Sequence, residues 1–205
     1  SETMLCELSE LFRNASEDAD VRVIILAASG PVFCAGHDLK EMTKARENTD
    51  RGRAYFSEIL SLCSELMQKI VTCPKPVIAE VGGVATAAGC QLVASCDLAV
   101  ASENAMFCTP GVHIGLFCST PMVALSRNVA NKHAMEMLLT GDMLTAQRAA
   151  DIGLINQVVP TSKLKAASQL LAEKIASKSS YTLATGKSAF YSQKEMDLAD
   201  AYIYA

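Results

Sequence analysis

Apolar residues recur at helical spacing in two segments of the first third of the chain, Glu2–Ala15 and Tyr55–Val71. One face of the first segment carries Met4, Leu5, Leu8, Leu11 and Phe12. One face of the second carries Ile59, Leu62, Leu66 and Ile70. A spacing of three to four residues places these side chains on one side of a helix, so the pattern predicts two amphipathic helices.

Three short segments are almost continuously apolar, which is typical of strands covered on both faces. They are Val21–Ala27, Pro76–Val84 and Asp97–Ala101. Helical segments separate them, Tyr55–Val71 after the first and Ala87–Ser95 after the second. An alternation of apolar strands with helices predicts an α/β fold with parallel pairing and right-handed crossovers.

The remaining pattern predicts a polar surface loop over Glu41–Arg53 and a strand followed by a loop over Met106–Gly115. Helices are predicted over Pro121–Val129, Lys132–Leu139 and Ala146–Ile152, then a strand over Leu154–Val159 and three helices within Ser162–Ala205. We therefore divide the chain into an α/β core, residues 1–140, and a helical region, residues 141–205.

Composition narrows the classes of protein that the chain can represent. With 205 residues, half of them hydrophobic, it is long enough to bury a sizeable core in one main domain. A net charge of −4 without a basic cluster argues against nucleic acid as a partner. The apolar runs are too short to span a membrane. Eight cysteines without a CxxC pair favour buried thiols in a reducing compartment, and three histidines without ligand spacing argue against a metal site.

Small residues occupy two points where a predicted strand gives way to a helix, within Val32–Lys40 and Val81–Cys96. Backbone N–H groups lack partners at such points and are open to a ligand. Neither segment has the Lys-Ser/Thr of a P-loop or the GxGxxG spacing of a dinucleotide fold. The two turns can instead offer a pair of amide donors to one oxygen, provided that the fold brings them together.

The order of several short motifs resembles the enoyl-CoA hydratase/isomerase (crotonase) superfamily. The resemblance is carried by Phe33–Leu39, Pro76–Ala79, Ala88–Leu92, Cys96–Asp97, Phe107–Gly115, Leu138–Gly141 and Ala146–Pro160. It implies a spiral of ββα repeats with a C-terminal helical region, assembled as a homotrimer or a dimer of trimers. It also implies that the sequence starts inside the family's N-terminal hairpin and stops inside its C-terminal helical stretch.

The resemblance assigns the two turns to an acyl-CoA thioester. The backbone amides of His37 and Ala88 correspond to the family's oxyanion donors, which hold negative charge on the thioester oxygen. Further substrate contacts are expected from Ala35, Gly36, Asp38, Leu39, Lys40 and Gly89. No cofactor is expected beyond the coenzyme A of the substrate. The compartment is expected to be the cytoplasm or the mitochondrial matrix.

The acid and base groups of the family's hydratases are missing from this sequence. Their two glutamate positions are occupied here by Gln91 and Gly111. Glutamine can hold a water but cannot take its proton, and glycine offers no side chain. Hydration by the two-glutamate route is therefore not expected. The open alternatives are an enzyme that isomerises, decarboxylates or slowly hydrates an acyl-CoA, and a scaffold that binds acyl-CoA without turnover.

Other titratable residues near the motifs have both a functional and a structural interpretation. His37 lies in a Gly-His-Asp sequence that some crotonase-like decarboxylases share, and His113 could face the pocket or bond to backbone. Asp38 is expected to cap a helix, and Glu80 to make a structural contact. The thiols Cys34, Cys90 and Cys108 are expected to be inert packing groups.

Overall fold

The computed structural model describes all 205 residues. Its first half contains α1 (Glu2–Glu17), β1 (Ile24–Ala27), β2 (Val32–Cys34), α2 (Leu39–Ala45), α3 (Arg53–Thr72), β3 (Val77–Val81), β4 (Val84–Thr86), α4 (Ala88–Ser95) and β5 (Leu98–Ser102). The second half contains β6 (Met106–Cys108), a 3-10 helix (Pro110–Ile114), α5 (Ser119–Ser126), α6 (Asn131–Thr140), β7 (Leu144–Thr145), α7 (Ala146–Asp151), β8 (Gln157–Val159), a second 3-10 helix (Thr161–Lys163), α8 (Leu164–Ala176), α9 (Ser180–Gln193) and α10 (Leu198–Tyr204).

The strands form two four-stranded sheets. One has the order β1-β3-β5-β8 and is parallel throughout, with Ile25 opposite Ile78 and Ala79 opposite Ala99. The other has the order β2-β4-β6-β7, in which only β7 runs antiparallel to its neighbour. The predicted parallel pairing of the three apolar strands is therefore confirmed.

The prediction of a single strand over Pro76–Val84 is wrong. The structure ends β3 at Val81 and begins β4 at Val84, and the two strands belong to different sheets. Gly83 lies between them, where a Cβ atom would stand 1.9 Å from the Pro31 carbonyl oxygen. The chain thus changes sheets at a point where two backbones touch, which only glycine permits.

The prediction of a loop throughout Glu41–Arg53 is also wrong. Helix α2 covers the beginning of this segment, and only the residues between α2 and α3 form turns. The helix starts because Asp38 caps it: Asp38 Oδ1 accepts the Lys40 N–H at 2.8 Å and the Glu41 N–H at 3.4 Å. The predicted capping role of Asp38 is therefore confirmed.

The principal core lies between the sheets and helices α3 to α7. Its fully buried members include Phe107, Leu66, Ile70, Leu125 and Met137. Helix α9 is fixed to this core by a partly buried ion pair, in which Lys187 Nζ lies 2.6 Å from Asp97 Oδ2. The Tyr191 hydroxyl donates to the other oxygen of the same carboxylate at 2.9 Å.

Two further features concern groups singled out from the sequence. Glu80 on β3 accepts a hydrogen bond from the buried Ser168 hydroxyl of α8, so the expected structural contact is present. None of the helices is long and apolar enough to cross a membrane.

Candidate active site

The two small-residue turns pack directly against each other. Gly36 has a φ of +95°, and a Cβ atom there would lie 3.1 Å from Ala87 Cβ and 3.3 Å from the Ala88 nitrogen. Gly89 is in closer contact, since its Cβ would lie 2.0 Å from the Cys34 carbonyl oxygen. The parallel pairing of β2 with β4 brings the turns together, because the C-terminal ends of both strands lie at the same edge of the sheet.

Two backbone N–H groups at these turns, those of His37 and Ala88, are open. The His37 N–H donates to no acceptor within the chain. Ala88 is the first residue of α4, where an N–H has no acceptor within its own helix. The Ala88 nitrogen lies within roughly 5 Å of Gly36 Cα, by addition of one bond length to the contact distance. Both amides therefore lie in one small region, where they can donate hydrogen bonds to an anion or to a carbonyl oxygen.

An unusual backbone conformation starts α4. Ala87 has φ 52° and ψ −118°, a region that costs a non-glycine residue about 1 to 3 kcal/mol. Its N–H donates to the Cys108 carbonyl at 3.0 Å, which fixes the turn to β6. Sequence reasoning missed this residue, and alanine gives no signal of a positive φ.

The His37 side chain is partly buried beside the turn. Burial lowers the pKa of its imidazole below the ordinary 6.5, so the ring is neutral at pH 7. Its Nε2 atom is buried and has no hydrogen-bond partner within the chain. Of the other residues expected to contact substrate, Ala35, Leu39 and Lys40 are exposed around the turn, whereas Gly89 is buried.

Gln91 lies one helical turn beyond Ala88 and is 4% exposed. Its backbone N–H makes the first hydrogen bond of α4, to the Ala87 carbonyl at 3.1 Å. Its side-chain Oε1 is buried without a hydrogen-bond partner in the chain. A buried amide oxygen without a donor is costly, by about 1 to 3 kcal/mol, so it is a candidate contact for a ligand.

Gly111 lies in different surroundings, in the 3-10 helix after β6. A Cβ atom there would lie 2.9 Å from Cys118 Sγ and 2.9 Å from the Leu116 carbonyl oxygen. The space that any side chain at position 111 would enter is therefore filled by the segment leading to α5. Sequence reasoning missed Cys118 and Leu116, because nothing in their spacing indicates this contact.

His113 does not join the turn pair through any hydrogen bond. Its exposed ring lies against the end of α6, with Nε2 at 3.3 Å from the Gly141 carbonyl oxygen. A Cβ atom at Gly141 would lie 2.8 Å from the same nitrogen. The structure therefore favours the interpretation of His113 as an imidazole that bonds to backbone.

The cysteines around the site lack the surroundings of a nucleophile. Burial raises the pKa of the Cys90 thiol far above its ordinary value, and it also raises that of Cys108. The Cys108 thiol donates to Thr86 Oγ1 at 3.2 Å. These are the features of packing groups. No group of three or more His, Cys, Asp or Glu side chains is arranged to hold a metal ion.

Comparison with known proteins identifies the class. The family model of enoyl-CoA hydratase/isomerase matches residues 1–204, so the chain belongs to this family. The solved structure of an enoyl-CoA hydratase from Mycobacterium smegmatis superposes with a TM-score of 0.92 at 48% identity, covering 98% of this chain and 76% of that one. The fold is therefore the crotonase fold, as the resemblance implied.

Two of the similar proteins are both called enoyl-CoA hydratase domain-containing protein 3. The Mus musculus enoyl-CoA hydratase domain-containing protein 3, mitochondrial, is 51% identical over 202 residues, which are 98% of this chain and 66% of the relative. The crystal structure of human enoyl Coenzyme A hydratase domain-containing protein 3 gives a TM-score of 0.92 at 48% identity, covering 99% of this chain and 78% of that one. The chain thus spans slightly less than two thirds of the length of the mouse relative.

Proposed function

We propose that the protein binds an acyl-CoA thioester and that the amides of His37 and Ala88 hold the thioester oxygen. The observation that supports the proposal is the contact between the two turns, in which Gly36 lies against Ala88 while the His37 N–H is free. Negative charge develops on this oxygen when an enolate forms, and two fixed donors stabilise it. The dipole of α4 adds positive potential at the Ala88 end.

Under this proposal, Lys40 and the neighbouring exposed residues meet the coenzyme A moiety, and no further cofactor takes part. The thioester is activated by hydrogen bonding alone. Neither Gln91 nor Gly111 can accept the α-proton of the acyl group, so the two-glutamate hydration route of the family is not available. Isomerisation or decarboxylation remains open to an enolate-stabilising site.

The proposal is tested by comparing two ligands that differ only in the carbonyl oxygen. We expect butyryl-CoA to bind about tenfold more tightly than S-butyl-CoA, a thioether, because the thioether gives the two amides nothing to hold. Isothermal titration calorimetry on the full chain measures both affinities. Equal affinities would contradict the proposal, and absence of binding by both would also contradict it.

A second candidate function is acyl-CoA binding without turnover. It is favoured by the contacts around Gly111, where any side chain would have to displace the Cys118 thiol and the Leu116 carbonyl oxygen, each 2.9 Å from the position of a Cβ atom. Crotonyl-CoA and a malonyl-type CoA distinguish the candidates. Loss of the enoyl absorbance or release of CO₂ identifies an enzyme, whereas tight binding without either identifies a scaffold.

We also propose that the protein acts in the mitochondrial matrix and assembles as a homotrimer or a dimer of trimers. The location is supported by the word "mitochondrial" in the name of the mouse relative. Fluorescence imaging of the tagged full-length protein tests the location, and light scattering on a sizing column tests the assembly. A monomer in solution or a diffuse cytosolic signal would contradict these proposals.

A further inference from the structure

A cavity of about 290 Å³ lies where strands β1 and β3 begin, and it shares no lining residue with the two turns of the candidate active site. Arg22 and Lys75 line it on one side, and the first residues of α9 line it on the other. No carboxylate is among its lining residues, and neither cation forms an ion pair elsewhere in the chain. This Arg22 cavity therefore carries two positive charges without a counter-charge.

The guanidinium of Arg22 is held in place but is not fully paired. One terminal nitrogen donates to the Lys178 carbonyl oxygen, which fixes the side chain against the segment that leads into α9. The Nε atom is buried and donates to no acceptor. A buried N–H without a partner is unfavourable, and the guanidinium fork matches two oxygens of one oxyanion. The unused donor therefore points to an acceptor that enters the cavity from solution.

Lys75 is positioned by its backbone. Pro74 and Pro76 flank it and restrict the chain on both sides. The Lys75 carbonyl oxygen accepts a hydrogen bond from Lys187 Nζ at 3.1 Å. The Pro76 carbonyl oxygen accepts the Ile24 N–H at 2.9 Å. These bonds tie the segment to α9 and to β1, so a rigid support presents the second cation.

The start of α9 adds backbone donors to the two cations. The Ser179 hydroxyl caps only the Thr182 N–H, at 3.3 Å. The N–H groups of Ser180 and Tyr181 donate to no acceptor in the chain, and both residues line the cavity. The helix has 14 residues, and its dipole places positive potential at this end. The cavity thus offers hydrogen-bond donors from three separate segments.

We infer that the Arg22 cavity is a binding site for a small phosphate monoester. Two unpaired cations match the charge of such an ester, about −1.5 to −2 at pH 7, better than they match a monoanion. The Arg22 fork and the open N–H groups of α9 supply donors for its terminal oxygens. The remaining wall is apolar and suits the alcohol part of the ester; it is formed by Pro74, Pro76, Leu183 and Ala184.

The test compares ligands on the full chain by isothermal titration calorimetry at about pH 7.5. Phenyl phosphate is expected to bind about tenfold more tightly than phenyl sulfate, which has a similar shape but only one negative charge. Inorganic phosphate should bind more weakly than phenyl phosphate, because it leaves the apolar wall uncovered. The inference would be overturned if phenyl phosphate did not bind, or if either of the other two anions bound as tightly.

Three variants assign the binding to this cavity. Lys75→Gln removes one cation, and Arg22→Lys keeps the charge but removes the Nε donor and the fork. Each is expected to weaken phenyl phosphate binding about tenfold. Lys132→Gln is the matched control, because it removes the same charge from the exposed start of α6 and should leave the affinity unchanged.

The Lys75 side chain takes part in no ion pair, so its variant decides the result even if Arg22→Lys does not fold. Unchanged binding by Lys75→Gln, or equal weakening by Lys132→Gln, would overturn the inference. The proposed thioester contact involves other residues. Failure of butyryl-CoA to bind would therefore overturn the proposed function and leave this inference intact.

Discussion

Two glycines at the candidate site are both in close contact, but with different kinds of group. At Gly89 the neighbour is the backbone of β2, where the Cys34 carbonyl oxygen lies 2.0 Å from the position that a Cβ atom would take. At Gly111 the neighbours are the Cys118 thiol and the Leu116 carbonyl oxygen, both at 2.9 Å. The first contact brings two open turns together. The second fills the place where a side chain would reach from the loop.

The difference teaches that the proposed oxygen binding and any proton transfer depend on different parts of the chain. Holding a thioester oxygen needs only backbone N–H groups, so it depends on how closely the turns at Gly36 and Ala88 approach. Proton transfer needs side chains, and the positions at Gln91 and Gly111 offer an amide and a packed glycine. The proposed oxygen-binding geometry therefore does not depend on an acid or a base at positions 91 and 111.

Of the two contacts, the one at Gly89 is expected to tolerate a side chain less well. Gly89→Ala forces a methyl group into the Cys34 carbonyl, and backbone cannot move aside as a flexible side chain can. We expect a loss of about 3 kcal/mol or more in the free energy of unfolding. Urea denaturation followed by circular dichroism measures it.

The control for this substitution is Gly186→Ala on the exposed side of α9. A Cβ there meets nothing within 4 Å, so the change should stabilise the helix by about 0.5 to 1 kcal/mol. A Gly89→Ala protein with the urea midpoint of the unmodified chain would contradict the close contact of the two turns.

The contact at Gly111 is expected to be less costly, because one of its two neighbours is a side chain. Gly111→Ala should cost about 1 to 3 kcal/mol, and Cys118→Ala should recover part of that loss in a double-mutant cycle. For the same reason, Gly111→Glu with Gln91→Glu should not create an efficient hydratase. This description of the loop would be contradicted if the effects of Gly111→Ala and Cys118→Ala on the free energy of unfolding were additive. Rapid hydration of crotonyl-CoA by the double glutamate variant would also contradict it.

Much of the fold was accessible from the sequence because it depends on hydrophobic periodicity. The long helix α3 and the parallel strands β1, β3 and β5 have patterns that only one arrangement buries well. The division of Pro76–Val84 between two sheets was not accessible, because it is set by the contact of Gly83 with Pro31, far away in sequence. Helix α2 was not predicted because most of its residues are polar, although Asp38 was expected to cap a helix.

The same distinction between local sequence patterns and contacts distant in sequence applies to the candidate site. The local motifs around Gly36 and Ala88 predicted two turns with open amides, and their side-by-side position follows from strand pairing. The unpaired Oε1 of Gln91 and the contact between Gly111 and Cys118 could not be predicted, because both depend on side-chain packing between separate segments. Sequence spacing contains no information about such distances.

The burial of His37 predicts a pH dependence that belongs to the turn. Because its pKa is lowered in the folded state, the unfolded chain binds the proton first on acidification, and stability falls as the pH decreases below 6.5. His37→Leu keeps the backbone amide and removes this contribution. We therefore expect the variant to lose less unfolding free energy than the unmodified chain between about pH 7.5 and pH 5.5, measured by urea denaturation. Identical pH dependence of the two proteins would contradict the burial of the ring.

The smallest expected effect concerns Asp38, which stabilises the turn from its other side. Hydrogen bonds from the Lys40 and Glu41 N–H groups, the former contributing most, hold the pKa of this carboxyl below its ordinary 3.8. The folded state thus prefers the ionised form. Its contribution is complete above the unfolded pKa and is lost as the pH falls through the lower folded pKa.

Two substitutions separate the charge of Asp38 from its capping bond. Asp38→Ala removes both and should slightly destabilise the protein at neutral pH, whereas Asp38→Asn keeps an oxygen that can accept the same N–H groups. Urea denaturation between about pH 7 and pH 3 measures the free energy of unfolding of each protein. The difference between the unmodified chain and Asp38→Ala should shrink on acidification, whereas the difference between Asp38→Asn and Asp38→Ala should stay constant. An advantage of aspartate that grows toward low pH would contradict the capping bonds. Because the cap and the His37 amide share one turn, Asp38→Ala should also weaken butyryl-CoA binding more than Asp38→Asn does.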